Sequence, residues 1–202
     1  MLFRSRFYLQ RFLARALQAG CTTAVLEMTS EGARQHRHRF IDIDALVFTN
    51  LAPEHIESHG SFEKYADAKY EIGKQLVRSH KRPRIMVANS ADAQSTRFLA
   101  LPVEQVVPFS LETSAPHTST DRGGSFTFDG TRITINLPGD FSLKNAIAAA
   151  SVAHAFGIRT ETIAQALARV ASIPGRAQRI DVGQDFDVVV DYAHTPDSLE
   201  AD

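Results

Sequence analysis

Four short apolar runs, CTTAVLEMTS, ALVFTN, RIMVANS and VEQVVPFS, recur along the first half of the chain with helical patterns between them. This alternation constrains the fold more than any other feature. Strands covered on both faces read as continuous apolar runs. Strands that alternate with helices close into a mainly parallel, helix-covered sheet of the α/β class. Leu9, Phe12, Leu13, Ala16 and Leu17 follow the helical period before Gly20, so an amphipathic helix feeds the first strand. SFEKYADAKYEIGKQLVRSH reads as a second helix with Ser61 as its N-cap, and ADAQSTRFLA as a short third.

Beyond the fourth run the pattern changes. Residues 111–124 are rich in Ser, Thr, Gly and Pro and read as a connector. SFTFDGTRITINLP alternates on either side of Asp129-Gly130, which predicts a small antiparallel β-hairpin element. Helices are expected over 142–156 and 160–172, the first closed by Gly157. SIPGRAQRIDV is turn-rich, and DFDVVVDY is expected as a last buried strand.

Charge narrows the partners. With 22 basic against 23 acidic residues the net charge is −1, so no global field draws nucleic acid or an anionic membrane. No run approaches the ~18 apolar residues of a membrane span. The single cysteine, Cys21, excludes an internal disulfide and a cysteine zinc cluster, which fits a cytoplasmic setting. Four arginines and no acid in the first twenty residues also fit a presequence, but the helical period favours an ordinary helix.

In a parallel sheet ligands gather beyond the carboxyl ends of the strands, and Glu27 and Asn50 stand at two such ends. His55 follows in the next loop, so Glu27 and His55 can share one crevice. A carboxylate and an imidazole suit a divalent metal without selecting one. His55 and His59 are spaced for one helix face, but Ile56 stands where the H-E-x-x-H pattern needs glutamate. Lys69 falls among Ala66, Ala68 and Ile72, where desolvation disfavours the ammonium. A neutral amine reacts with carbon dioxide to a carbamate, an anion that can support a metal. The bland alternatives stand beside these readings: a solvated helix lysine, a turn histidine before Gly60, and a Glu27 paired with arginine.

The joint order of these residues resembles the Mur ligases, which join an amino acid to a carboxylate using ATP, and within them the tripeptide-forming branch. That branch carries E-V-S-S-H, then T-N-x-x-x-D-H-x-x-x-H-G, then A-x-A-K. Here they stand as Glu27-Met28-Thr29-Ser30-Glu31, as Thr49-Asn50 through Glu54-His55 to His59-Gly60, and as Ala66-Asp67-Ala68-Lys69. NAIAAA from Asn145, PGRAQRI with Arg176 and VVVDYAHTPDSLE with Asp191 continue the likeness, which runs from about residue 8 to 200. A string of spaced motifs in one order is highly specific.

The resemblance implies roles. Glu27 would hold one magnesium ion, and His55 with carbamylated Lys69 a second. Thr29, Gln35 and Arg37 would grip a UDP-N-acetylmuramoyl peptide. Asn145, Arg176 and Asp191 would meet the adenine, phosphate and ribose of ATP, with Lys69, His55 and Arg176 as the catalytic set. The implied reaction activates a substrate carboxylate as an acyl phosphate, which an amino acid then attacks. Three positions depart from the pattern: Glu31 replaces a histidine, Glu54 an aspartate and Ser142 an asparagine.

The phosphate-cradling G-x-x-x-x-G-K-S/T does not occur in these 202 residues. Gly73-Lys74 lies inside the second helix and is followed by Gln75, and Gly123-Gly124 precedes a hairpin. The resemblance therefore implies a P-loop-type central ATPase domain lacking its P-loop over residues 1–185, with 186–202 opening the C-terminal domain. On this reading the isolated chain is a fragment without turnover of its own. The competing expectations are a non-catalytic nucleotide-sugar-binding or interaction module, and a folylpolyglutamate or cyanophycin type of ligase.

Overall fold

The computed structural model describes residues 6–52 and 59–193. Two compact units divide the chain: one runs up to Met86 and includes Ala93–Val106, the other comprises Val87–Asp92 and everything from Val107. Three strands, β1 (Ala45–Phe48), β2 (Ile85–Asn89) and β3 (Gln105–Phe109), form a sheet in the order β1-β2-β3. Its strands are parallel. The Gln105 amide donates to Arg84 O where β2 and β3 begin, and the Ser90 amide donates to Phe109 O where they end. Every residue of β2 is buried, as a continuous apolar run requires.

In the first unit, helix α1 spans Arg6–Gln18, α2 Ser30–Arg34, α3 Phe62–Arg78 and α4 Ser95–Leu99. Ser61 caps α3 as expected, its Oγ accepting from the Lys64 amide at 3.2 Å. Tyr65, Ala66, Ile72, Gly73 and Leu76 recur at the helical period and form the buried face of α3. Phe98 of α4 stacks on Phe48 at 4.2 Å and meets the Tyr70 ring edge-on at 5.5 Å. A Cβ at Gly73 would stand 2.8 Å from Leu101 Cδ1. That glycine lets α3 approach Leu101 and has nothing to do with phosphate.

In the second unit, β4 (Thr118–Ser119), β5 (Gly124–Phe128) and β6 (Thr131–Ile135) form an antiparallel sheet, and α5 (Gly139–Ala155) and α6 (Thr160–Ala168) pack on it. Asp129 and Gly130 turn the hairpin with φ of 47° and 71°, the pair of positive angles a type I′ turn demands. Phe126 faces Ile133 across the strands, both with no exposed surface, against α5, which buries Leu143 and Ile147. A Cβ on Gly123 would meet Ile135 O at 2.5 Å, and one on Gly124 would meet Thr118 O at 2.5 Å. The double glycine thus serves close backbone approach within the sheet.

Four expectations need correction. Residues 21–29 form no strand, because the described residues supply no ladder for them, and Val25 is 94% exposed. The expected loop after them begins with α2, since Thr29 offers a cap to the Gly32 amide. The connector contains a 3₁₀ turn, Glu112–Ser114, and β4. The last strand shrinks to β8 (Val189–Val190), paired with β7 (Gln178–Arg179) as a two-stranded ribbon. Its valines are exposed rather than buried, since two short strands present no covered face. Among the described residues no helix is long and apolar enough to cross a membrane.

Candidate active site

The expected substrate residues flank α2, a five-residue helix of the first unit. Thr29 precedes α2 in extended conformation and its Oγ1 accepts from the Gly32 amide at 3.0 Å. Gly32 is buried, and a Cβ there would press on Met28 Sδ at 3.0 Å and on Thr29 Oγ1 at 3.3 Å. After α2 the chain reverses through His36, at a φ of +56°. This returns Arg37 to the helix, where its amide donates to Gly32 O.

The Arg37 guanidinium donates through Nε and Nη2 to Gln35 Oε1, at 3.1 and 2.6 Å. Gln35 in turn donates from Nε2 to Glu31 Oε1 at 2.8 Å. Glu31 also takes Arg34 Nη1 at 3.3 Å. Thr29 therefore stands at the start of α2 and Gln35 with Arg37 at its exit, the charged fork held in place by hydrogen bonds. Glu31, where the family pattern has histidine, orients Gln35.

His59 is buried, bonds through Nε2 to Ser30 Oγ at 3.0 Å and tilts on the Tyr65 ring at 5.2 Å. It ties the start of α2 to the start of α3, and Gly60 supplies the positive φ of 81° that follows. Lys69 lies on α3 between buried Ala66 and Ile72 but is itself half-buried, its Nζ 5.8 Å from the Tyr65 ring centroid. The aromatic face beside it was not legible from Ala66, Ala68 and Ile72 alone.

Glu27 is exposed and enters no ion pair among the described residues, so the pairing with arginine does not occur there. An unpaired carboxylate oxygen is the donor a hard divalent cation takes. His55 and Glu54 lie outside the described residues. Among the described residues no three His, Cys, Asp or Glu side chains gather closely enough to hold a metal.

The second unit brings two of the expected nucleotide residues together. The pairing Gln178↔Val190 places the Arg176-Ala177 turn beside Asp191. Asp191 accepts the Ala177 and Ala193 amides. Those hydrogen bonds, the Ala177 amide foremost, hold its carboxyl below the usual carboxylate range, with Arg176 adding its charge. Arg176 is exposed and lies over the Tyr192 ring at 5.2 Å. Asn145 stands on the exposed face of α5 and has no hydrogen bond to either among the described residues. Ser142, one turn earlier on that helix, is buried.

Sequence reasoning missed a cleft of about 230 Å³ in the second unit, lined by Asn89, Ala91, Asp92, Leu111, Glu112 and Lys144. It opens beyond the carboxyl ends of β2 and β3, where ligands of parallel sheets collect. Asn89 closes β2 and its Oδ1 accepts the Ala91 amide at 3.1 Å. The backbone amide of Glu112 itself, the Ser110 hydroxyl and the charge of Lys144 lower the Glu112 carboxyl below its ordinary value. A signal existed: RIMVAN ends in asparagine, as ALVFTN does.

Comparison with known proteins shows the family of the chain. The profile of the Mur ligase middle domain matches residues 3–153. The UDP-N-acetylmuramoyl-L-alanyl-D-glutamate–2,6-diaminopimelate ligase of Halalkalibacterium halodurans is 35% identical over 201 residues, which is 95% of this chain and 41% of that protein. The ligase of the same name from Bacillus cereus is 32% identical over 203 residues, again 95% of this chain and 41% of the relative. A solved structure of a ligase of that name superposes with a TM-score of 0.76 at 29% identity, over 95% of this chain and 41% of that one. MurF from Acinetobacter baumannii shares the fold, with a TM-score of 0.69 at 18% identity over 82% of this chain and 38% of that one. The chain thus spans about two fifths of the length of these relatives. It belongs to the Mur ligase family, and residues 3–153 are the family's middle domain.

Proposed function

We propose that this chain is the central part of an ATP-dependent ligase of peptidoglycan synthesis, which adds an amino acid to a UDP-N-acetylmuramoyl peptide through an acyl phosphate. The observation that carries the reading is the Arg37–Gln35–Glu31 chain of hydrogen bonds beside Thr29, which fixes a guanidinium at the exit of α2. A planar, pre-oriented donor pair suits a carboxylate or phosphate of the nucleotide-sugar peptide. Residues 1–185 would form the middle domain and 186–202 open the next, in the cytoplasm where the nucleotide precursor is made.

Within this reading Arg176 meets a phosphate of ATP, Asp191 the ribose and Asn145 the adenine. Asp191 keeps its negative charge through the Ala177 and Ala193 amides. Glu27, His55 and Lys69 would hold magnesium, with Lys69 carbamylated: the neutral amine bonds the carbon of carbon dioxide and releases one proton. Bound magnesium neutralises charge where two anionic oxygens must approach. Arg37 would hold the nucleotide-sugar peptide and Arg176 a phosphate of ATP.

Arg37→Ala tests the reading in a full-length ligase containing this chain. Loss of a charge-assisted contact of about 1.5–3 kcal/mol predicts that KM for the nucleotide-sugar peptide rises roughly 10- to 150-fold while KM for ATP stays put. Equal KM for the peptide in variant and parent would remove Arg37 from the substrate site.

A further inference from the structure

Among the described residues, His38 Nδ1 is the buried side-chain atom without a hydrogen-bond partner. His38 is 4% exposed and directly follows Arg37. The two side chains part company at the turn: Arg37 reaches back to Gln35, while His38 enters the interior. The groups that face His38 are His36 and Arg39 on its own segment and Glu71 and Arg78 on α3. Glu71, the one anion among them, is already bonded to Lys74 Nζ at 2.5 Å.

The other ties of this turn are hydrogen bonds, among them the His36 amide donating to Ala33 O at 2.9 Å. The Arg37 amide donates to Gly32 O at 2.9 Å and the Arg39 amide to His36 O at 3.2 Å. Gln10 Nε2 of α1 reaches Arg39 O and Phe40 O at 3.4 and 3.1 Å. Phe40, next along, is 80% exposed, so the burial of His38 is the apolar anchor of residues 36–40.

We propose that His38 is a positioning residue for Arg37: neutral and buried, it anchors the turn that sets the guanidinium on Gln35, and once protonated it leaves the interior and releases that hold. The role assigned to Arg37 rests on the ligase reading; the coupling itself does not. A protonated imidazole has two N–H donors and no acceptor, so a buried Nδ1 without a partner then carries an unsatisfied, charged donor. Burial first, and then the charges of His36 and Arg39, press the His38 pKa below its ordinary 6.5. The folded value is therefore the lower one. The anchor is fully present above the unfolded value of 6.5 and is lost as pH falls through the folded value.

The test is NMR of the 202-residue chain, following the Arg37 Nε–H signal and the His38 ring from about pH 8 to about pH 5. The expected result is that protection of Arg37 Nε–H, measured against a free arginine side chain at each pH, falls by at least about tenfold with the midpoint of the His38 titration. His38→Val is expected to keep Arg37 protected across the range, while His36→Ala, which removes one of the charges that lower the His38 pKa, keeps the loss of protection but moves its midpoint to higher pH together with the His38 titration. Arg37 protection that persists through the His38 titration, or that still collapses in His38→Val, would overturn the proposal. Should His38→Val fail to fold, the parent alone decides, because the two midpoints either coincide or do not. An Arg37→Ala ligase with unchanged KM would remove the substrate assignment and leave this result standing.

Discussion

Lys69→Ala in a full-length ligase containing this chain is expected to lower kcat by about 10²–10³, the usual loss when one preorganised electrostatic group leaves a charged transition state. Added acetate or formate should restore part of the activity, since a small carboxylate can occupy the place of the proposed carbamate. Lys69→Arg should be as impaired as Lys69→Ala and respond no better, because a guanidinium keeps its proton and does not add carbon dioxide. Lys69 is half-buried, beside the Tyr65 ring at 5.8 Å, on a helix whose buried face includes Ala66, Ile72 and Leu76. Activity of Lys69→Ala equal to the parent would dismiss the carbamate.

Phe126→Ala carries the largest expected effect on stability. Its ring has no exposed surface and faces Ile133, equally enclosed, beneath α5 with Leu143 and Ile147. Truncating a fully buried phenylalanine costs about 3–5 kcal/mol, through lost transfer energy and the cavity left behind. A domain of ordinary stability has about 5–15 kcal/mol in all. Chemical denaturation followed by circular dichroism should show the midpoint fall sharply, or the second unit fail to fold. A loss below about 1 kcal/mol would mean that the hairpin and α5 are not one core.

The elements that a sequence shows well are those whose physics is local. Ser61 at the cap of α3, Asp129-Gly130 in the hairpin and the wholly buried β2 were legible because one residue type, one turn angle or one apolar run decides each. Residues 21–29 were misread because an apolar run forms a strand only beside a ladder that accepts it. DFDVVVDY failed for a related reason: Val189 and Val190 pair with Gln178 and Arg179 alone, and nothing covers them. α2 was read as a loop because its five residues carry no period, although Thr29 announced a cap.

The candidate site divides in the same way. Thr29, Gln35 and Arg37 flank one short helix, and Arg176 and Asp191 meet across one strand pairing, so each set rests on local structure. His38 was invisible, since its importance lies in the missing partner of one ring nitrogen. The cleft beside Asn89, Glu112 and Lys144 depends on three segments distant in sequence, which no periodicity brings together.

The most direct test of the ligase account follows oxygen. A full-length ligase containing this chain is given ATP, an amino acid and a nucleotide-sugar peptide whose reacting carboxylate carries ¹⁸O at both oxygens. Activation through an acyl phosphate predicts that one labelled oxygen per turnover leaves with inorganic phosphate, read by the isotope shift of its phosphorus resonance. Ligation with unlabelled phosphate, or phosphate release without ligation, would contradict the account.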